Sequence, residues 1–294
     1  MIDVIYEMET QDPDDLFALA LLCHHPEVNL RGVVITPGSK HQAAIIKTAL
    51  KQLDRGDVLV GSFNIDHPKS CVSPWWISFL GNAFGGGVDR GWEIINELLH
   101  DYPDLTYISG SPIKNLGEYM KKHDTFNIKR WVAQGGFAGD NIVPDKYRLP
   151  KFAGKITCPT FNFNGDPKSA KAALASPCID ERVLVSKNVC HGFLYDQDMH
   201  DKFSLFKDEN IGLNMIYRGM KRYLSKTNKD GKLFHDPLAI CVAIDPTIAE
   251  LAQVEIYREK GEWGSNPSSC SNTWITINVD KDKAFDIMVD NSKI

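Results

Sequence analysis

The chain has 294 residues, of which 43% are hydrophobic and 24% charged, with a formal net charge of -5. That length can bury a substantial core in one large α/β domain or two smaller ones. The acidic balance, with no basic block interleaved with aromatics, argues against a nucleic-acid platform and favours small polar ligands. No uninterrupted apolar run approaches bilayer length, and Met1-Ile2-Asp3-Val4 lacks the basic start of a signal peptide, so a cytoplasmic protein without membrane partners is expected. The seven cysteines are scattered, with no metal-finger or redox spacing, and read as reduced and structural. Cys190 beside His191 makes a poor thiol nucleophile, because neighbours on a strand point to opposite faces.

The first apolar run, residues 4–6, predicts a strand. Directly behind it come Glu7, Glu9, Asp12, Asp14 and Asp15, five carboxylates within nine residues, and then the apolar stretch that predicts a helix over 14–23. Carboxylates at a strand end and on a first helical turn converge on one point, where they repel unless a cation or a set of donors holds them. A hard divalent metal is the simplest partner; a plain acidic turn that complements the helix dipole is the alternative.

Further strands are predicted at 30–36, 58–61, 105–110, 131–135, 160–163 and 182–186, and helices at 41–53, 91–102, 112–123, 167–176, 211–225 and 236–244. Strands that are continuously apolar and alternate with helices suit a parallel sheet buried on both faces. The predicted fold is a doubly wound, mostly parallel α/β sheet flanked by helices, Rossmann-like, in a single domain over 1–294. Segments 64–88 and 143–159 read as insertions or lids at the ligand end. Ligands in such sheets sit beyond the carboxyl ends of the strands. There the chain carries Thr36-Pro37-Gly38-Ser39, Ser109-Gly110-Ser111-Pro112, Gly135-Gly136 through Asn141, and Asn162 through Pro167.

Far downstream, His235-Asp236-Pro237-Leu238-Ala239 leads into an apolar helix. Alone, Asp before Pro reads equally as a helix cap. Taken with the acidic start, the arrangement resembles the inosine-uridine nucleoside hydrolase family. That family's marks are an Asp-x-Asp-x-Gly-x-Asp-Asp start, a Gly-Pro-Leu-Thr-Asn turn, a Gly-Gly and Glu-x-Asn middle, and a late His-Asp-Pro-Leu-Ala. The chain is a divergent match. Glu7 and Glu9 stand for the first two aspartates, an extra residue precedes Asp14-Asp15, and the motif glycine is missing. Ser111-Pro112-Ile113-Lys114-Asn115 stands for the turn, and Thr160-Phe161-Asn162 for Glu-x-Asn.

The resemblance implies one calcium ion per subunit, held by Glu9, Asp15, the Lys114 carbonyl and Asp236 together with waters and the sugar diol. It implies hydrolysis of the N-glycosidic bond of a nucleoside-like small molecule. Glu9 or Asp14 would deprotonate the water, Asp14, Ser39, Asn141 and Asn162 would hold the sugar, and His235 would protonate or orient the leaving base. A homodimer or homotetramer is expected on the same ground. Apart from the resemblance, the aromatics Trp75, Trp76 and Phe84 are candidates to stack on the base, with core or lid packing as the alternative. Three alternatives stay open: a slow metal- and ribosyl-binding module, motivated by Thr160; action on a nicotinamide riboside or nucleotide, motivated by Lys146, Arg148, Lys151 and Lys155; and a metal phosphohydrolase.

Overall fold

The structure, a computed structural model, describes residues 1–83, 87–227 and 230–289. The chain opens with β1 (Ile2–Met8), α1 (Pro13–His24), β2 (Val28–Ile35), α2 (Lys40–Gln52) and β3 (Leu59–Ser62). α3 (Pro74–Leu80), β4 (Asp89–Arg90), α4 (Gly91–Asp101), β5 (Thr106–Ser109), α5 (Lys114–Lys122) and β6 (Ile128–Gln134) follow. The middle holds β7 (Thr157–Cys158), α6 (Phe161–Gly165), α7 (Pro167–Ala175), β8 (Ile179–Val185), α8 (Lys187–Cys190), β9 (Leu194–Asp196) and α9 (Gln197–Phe203). The chain then runs through α10 (Ile211–Lys226), β10 (Gly231–Leu233), α11 (His235–Ile244), β11 (Ala249–Glu259), β12 (Glu262–Pro267), β13 (Thr273–Val279) and α12 (Lys281–Val289).

Eleven strands form one sheet in the order β4-β3-β2-β1-β5-β6-β8-β13-β11-β12-β7. Pairing is parallel from β4 to β13 and antiparallel across β13, β11, β12 and β7. This is the doubly wound, mostly parallel architecture expected. The chain leaves β1 for β2 on one side and later returns to place β5 on the other. The strand order therefore reverses between β1 and β5, and the crevice beyond their carboxyl ends is the natural ligand site.

The pleat sorts the β1 side chains. Val4, Tyr6 and Met8 pack into the core formed with α1 and α11, whereas Ile5 joins the opposite core with residues of α4 and α5. Every α1 residue from Pro13 to Cys23 is buried, as is every α11 residue from Asp236 to Ala243. A helix covered all round explains why neither sequence shows a polar stripe. The two helices pack against each other, so their N-termini meet above β1 and β5.

Several stretches differ from expectation, among them β4, β7, β9, β10, α3, α8, α9 and α12, where no element was predicted. Residues 160–163 are not a strand: Thr160 is an extended cap (φ -117, ψ 134) and Phe161–Gly165 turns into α6. The turn aims Phe163 inward, 6.2 Å from the Trp131 ring and 5.1 Å from the Trp263 ring. The three strands after residue 249 were not foreseen. β11 is partly exposed along most of its length and carries Glu250, Glu255, Arg258 and Glu259, so no continuous apolar run marks it. Of the two segments read as insertions, 64–88 contains α3, and 143–159 contains β7 and the single helical turns Asp145–Tyr147 and Pro150–Phe152. Among the described residues, no helix is long and apolar enough to cross a membrane.

Candidate active site

The acidic cluster begins where β1 ends. Glu7 points to the α5 side and is fully buried, yet its carboxylate accepts from the Thr36 hydroxyl (2.9 Å), the Tyr107 hydroxyl (2.6 Å), and the Asn115 backbone amide and side chain (2.8 Å each). Burial raises the Glu7 carboxyl above its ordinary value, and these donors work against that rise. Its acceptor capacity is spent on the scaffold. Glu7 therefore ties β1, β2, β5 and α5 together beneath the site and is not available to a ligand.

Asp12 precedes Pro13, the first residue of α1, and its amide donates to the Asp15 carboxylate at 3.2 Å. One turn later in space, Asp14 is grasped from two directions. Its carboxylate accepts from the backbone amides of His235 (3.0 Å) and Asp236 (3.3 Å), at the start of α11. The Lys232 ammonium lies 3.0 Å from Asp14 and 3.1 Å from Asp12. Burial pushes the Asp14 carboxyl up, but Lys232, His235 and the α11 amides outweigh it and hold the group below the usual carboxylate range.

Among the described residues, neither Asp15 nor Asp236 has a cation within ion-pair distance, although Lys232 pulls Asp236 down from further off. Burial raises both well above the ordinary carboxyl value, and each is raised further by nearby carboxylates. Glu9 is raised to about 7, first by burial and then by Asp12 and Asp14, with Lys114 pulling the other way. Asp15 Oδ1 and the Tyr6 hydroxyl are buried without a hydrogen-bond partner among the described residues. Gly110, just past β5, lets the chain approach them: a Cβ there would lie 2.7 Å from Asp236 Cγ and 2.6 Å from the Tyr6 hydroxyl. Crowded oxygen donors, one of them orphaned, fit a hard cation in kind.

These carboxylates line one side of a cavity of about 430 Å³. Asn162 and Thr160 form another part of its wall with Gln134, whose carbonyl and side-chain oxygens accept from the Asn162 amide at 3.0 and 2.7 Å. The Thr160 hydroxyl and His235 Nε2 are buried without partners among the described residues. His235 stacks obliquely near His191, ring centroids 4.8 Å apart. Burial pushes both imidazoles down, His235 to about 4 against the upward pull of Asp14, and His191 to about 3 with His235 and nearby lysines adding to the fall.

The structure thus gathers Glu9, Asp14, Asp15, Asn162, His235 and Asp236 on one cavity. Lys114 opens α5 nearby, its ammonium 5.8 Å from the Phe63 ring centroid and its charge favouring the Glu9 carboxylate. Three residues expected on the substrate are engaged elsewhere. Ser39 caps α2, accepting from the Gln42 amide and donating to the Ser70 carbonyl. The Asn141 side chain donates to the Ser265 carbonyl at 2.7 Å. Trp76 is fully buried and its indole donates to the Asp12 carbonyl at 3.0 Å, which braces the acidic turn instead of presenting a ring to a base. Phe84 lies outside the described residues. Sequence reasoning assigned no role to Lys232, Gln134 or Lys187. Lys232 stands four residues before Asp236 in the matched segment, which was the available signal; Gln134 and Lys187 offered none.

An acidic cavity at the switch point of a doubly wound sheet defines an enzyme of the α/β class that acts on a small ligand. A family model for inosine-uridine preferring nucleoside hydrolases matches residues 4–286, and the chain belongs to that family of N-ribohydrolases, which act on N-glycosyl compounds. The chain is 27% identical over 299 residues to an uncharacterized protein of Aquifex aeolicus (strain VF5), with 98% of each covered. Its fold is similar to that of the plant nucleoside hydrolase PpNRh1, with a TM-score of 0.74 and 15% identity over 98% of each chain. It is also similar to an inosine-uridine preferring nucleoside hydrolase from Bacillus anthracis, with a TM-score of 0.73 and 15% identity over 100% of this chain and 99% of that one.

Proposed function

We propose that the chain hydrolyses the N-glycosidic bond of a ribonucleoside or related N-riboside, releasing free base and ribose, with one calcium ion held by Glu9, Asp15, Asp236 and the Lys114 carbonyl. The observation that carries this reading is the meeting of the α1 and α11 N-termini, where Asp14 accepts the His235 and Asp236 amides beside the cavity. The calcium ion, when bound, would acidify a water and grip vicinal sugar hydroxyls.

The residues then divide the work. Glu9, beside the calcium site on the cavity wall, would take a proton from the attacking water. Asp14, kept ionised, is a fixed acceptor for a sugar hydroxyl. The Asn162 amide nitrogen is committed to Gln134, which leaves its carbonyl oxygen for a second hydroxyl. Cleavage passes through an oxocarbenium-like state, and buried carboxylates stabilise positive charge developing on the sugar. His235, pushed to about 4, is a neutral imidazole at pH 7. It therefore serves to orient the departing base and does not arrive with a stored proton, which revises the role its ordinary pKa suggests.

The test is to incubate the purified protein with a panel of nucleosides, nucleotides and nicotinamide ribosides, with calcium or with chelator, and to follow free base and free phosphate by chromatography. Base release that chelator abolishes and calcium restores supports the reading. Phosphate without base contradicts it. No base, while ribose still raises the melting temperature, means a binding module without turnover.

A further inference from the structure

The cavity is electrically divided. Beside its acidic residues lies a basic corner built from two elements. Lys151, on the turn Pro150–Phe152, places its ammonium 2.6 Å from His191 Nδ1. An ammonium can only donate, so the neutral His191 ring carries its own proton on Nε2 and is a second donor. Lys187, the first residue of α8, lines the same cavity as His191 and donates to the Pro159 carbonyl at 2.8 Å. The His191 and His235 rings, 4.8 Å apart, join this corner to the acidic cluster.

The ammonium groups differ in what they hold. Lys232 is neutralised by Asp12 and Asp14, whereas among the described residues neither Lys151 nor Lys187 has a carboxylate within ion-pair distance. One cation and an imidazole on the cavity wall, Lys187 and His191, with the exposed Lys151 ammonium against His191 at its edge, favour a ligand with several anionic oxygens. A cation is the wrong occupant. Cys190, His191 and His235 do gather their ligand atoms within 4.8 Å. However, the adjacent ammonium groups repel a metal there, and the buried Cys190 sulfur already accepts from Gln134 at 3.3 Å.

We infer that Lys151, Lys187 and His191 form an anion subsite and that the N-riboside cleaved here carries a phosphate on its sugar, as in a nucleoside 5'-monophosphate. The inference rests on the N-ribohydrolase reading above and narrows its substrate. Two donors on the cavity wall and a third at its edge can serve more than one terminal oxygen of a phosphate ester. A cavity of about 430 Å³ lies within the usual range for small-molecule ligands.

The experiment compares kcat/KM for a nucleoside, its 5'-monophosphate and a nucleoside with a carboxylated base, in the native protein and in Lys151→Gln and Lys187→Gln. The 5'-monophosphate is expected to be preferred over its parent. That preference should fall roughly ten- to a hundredfold in each variant, the range for losing one charge-assisted hydrogen bond, with melting temperatures confirming that the variants fold. Preference for the parent nucleoside, or a ratio unmoved by either substitution, overturns the subsite while base release still upholds the hydrolase. Lysine-dependent preference for the carboxylated base overturns the phosphate. If no base is released from any substrate, the hydrolase reading fails, and calorimetry with ribose 5-phosphate against ribose decides the subsite. Tighter binding of ribose 5-phosphate that disappears in Lys187→Gln upholds it, and equal binding overturns it.

Discussion

Lys232 holds Asp14 from 3.0 Å, and both side chains are almost wholly shielded from water. The acidic cluster thus contains its own cation, supplied by the strand that leads into α11. This ammonium accounts for Asp14 being the carboxylate held below its ordinary range, while Asp15 and Asp236 are raised. Removing one partner of a buried pair leaves the other as an uncompensated charge, at a cost of about 3–5 kcal/mol. Lys232→Met should lose about that much stability in urea unfolding, and Asp14→Asn in the same chain should recover part of it. A loss below about 1 kcal/mol would show that water reaches the pair.

Gly110 is a second point of leverage. An alanine methyl would arrive 2.7 Å from Asp236 Cγ and 2.6 Å from the Tyr6 hydroxyl, closer than real contacts allow. Gly110→Ala should cost about 1–3 kcal/mol through overpacking, and by displacing Asp236 it should weaken calcium binding at least tenfold in calorimetry. Native calcium affinity in this variant would mean that Asp236 is not a ligand.

Protons and calcium should compete. Glu9 titrates at about 7, and the pair Asp15 and Asp236 is raised as well, so below that pH the cluster holds protons that a cation must displace. Calcium affinity should rise at least tenfold per pH unit below about 7, with proton release detected by calorimetry in buffers of different ionisation heat. The sign for stability follows from the same shift. A folded-state carboxyl raised from 4.5 to about 7 is favoured in its protonated form, so the chelated protein should lose stability as pH climbs through that interval. A flat affinity profile between pH 5.5 and pH 8 would contradict this assignment of Glu9.

Much of this was legible in the sequence, for identifiable reasons. β1, β2, β3, β5, β6 and β8 were visible because a parallel sheet buried on both faces demands continuous apolar runs, and α1 and α11 because a fully covered helix does too. Glu9, Asp15 and Asp236 stood out as charges placed where burial should forbid them. Lys232 was hidden because a lysine in a polar turn looks solvated until the fold shows what it faces. Ser39 and Asn141 were drawn in by their motif positions and Trp76 by its aromatic ring, but whether such a side chain turns to the crevice or back to the scaffold depends on partners from distant elements: Ser70, Ser265 and the Asp12 carbonyl. The antiparallel strands beyond residue 249 escaped because they are partly exposed, interrupted by charged residues, and lack the continuous apolar signature.

The central claim is that buried carboxylates at the β1 and β5 ends hold a metal that an N-ribohydrolase reaction requires. It is tested most directly by measuring base release from a nucleoside and its 5'-monophosphate while calcium is titrated into chelated protein, native and Asp15→Asn in parallel. Saturable recovery of base release in the native protein, with little or none in Asp15→Asn at the same calcium concentrations, is the predicted result. Undiminished base release in chelator, or full activity in a folded Asp15→Asn protein, would contradict it.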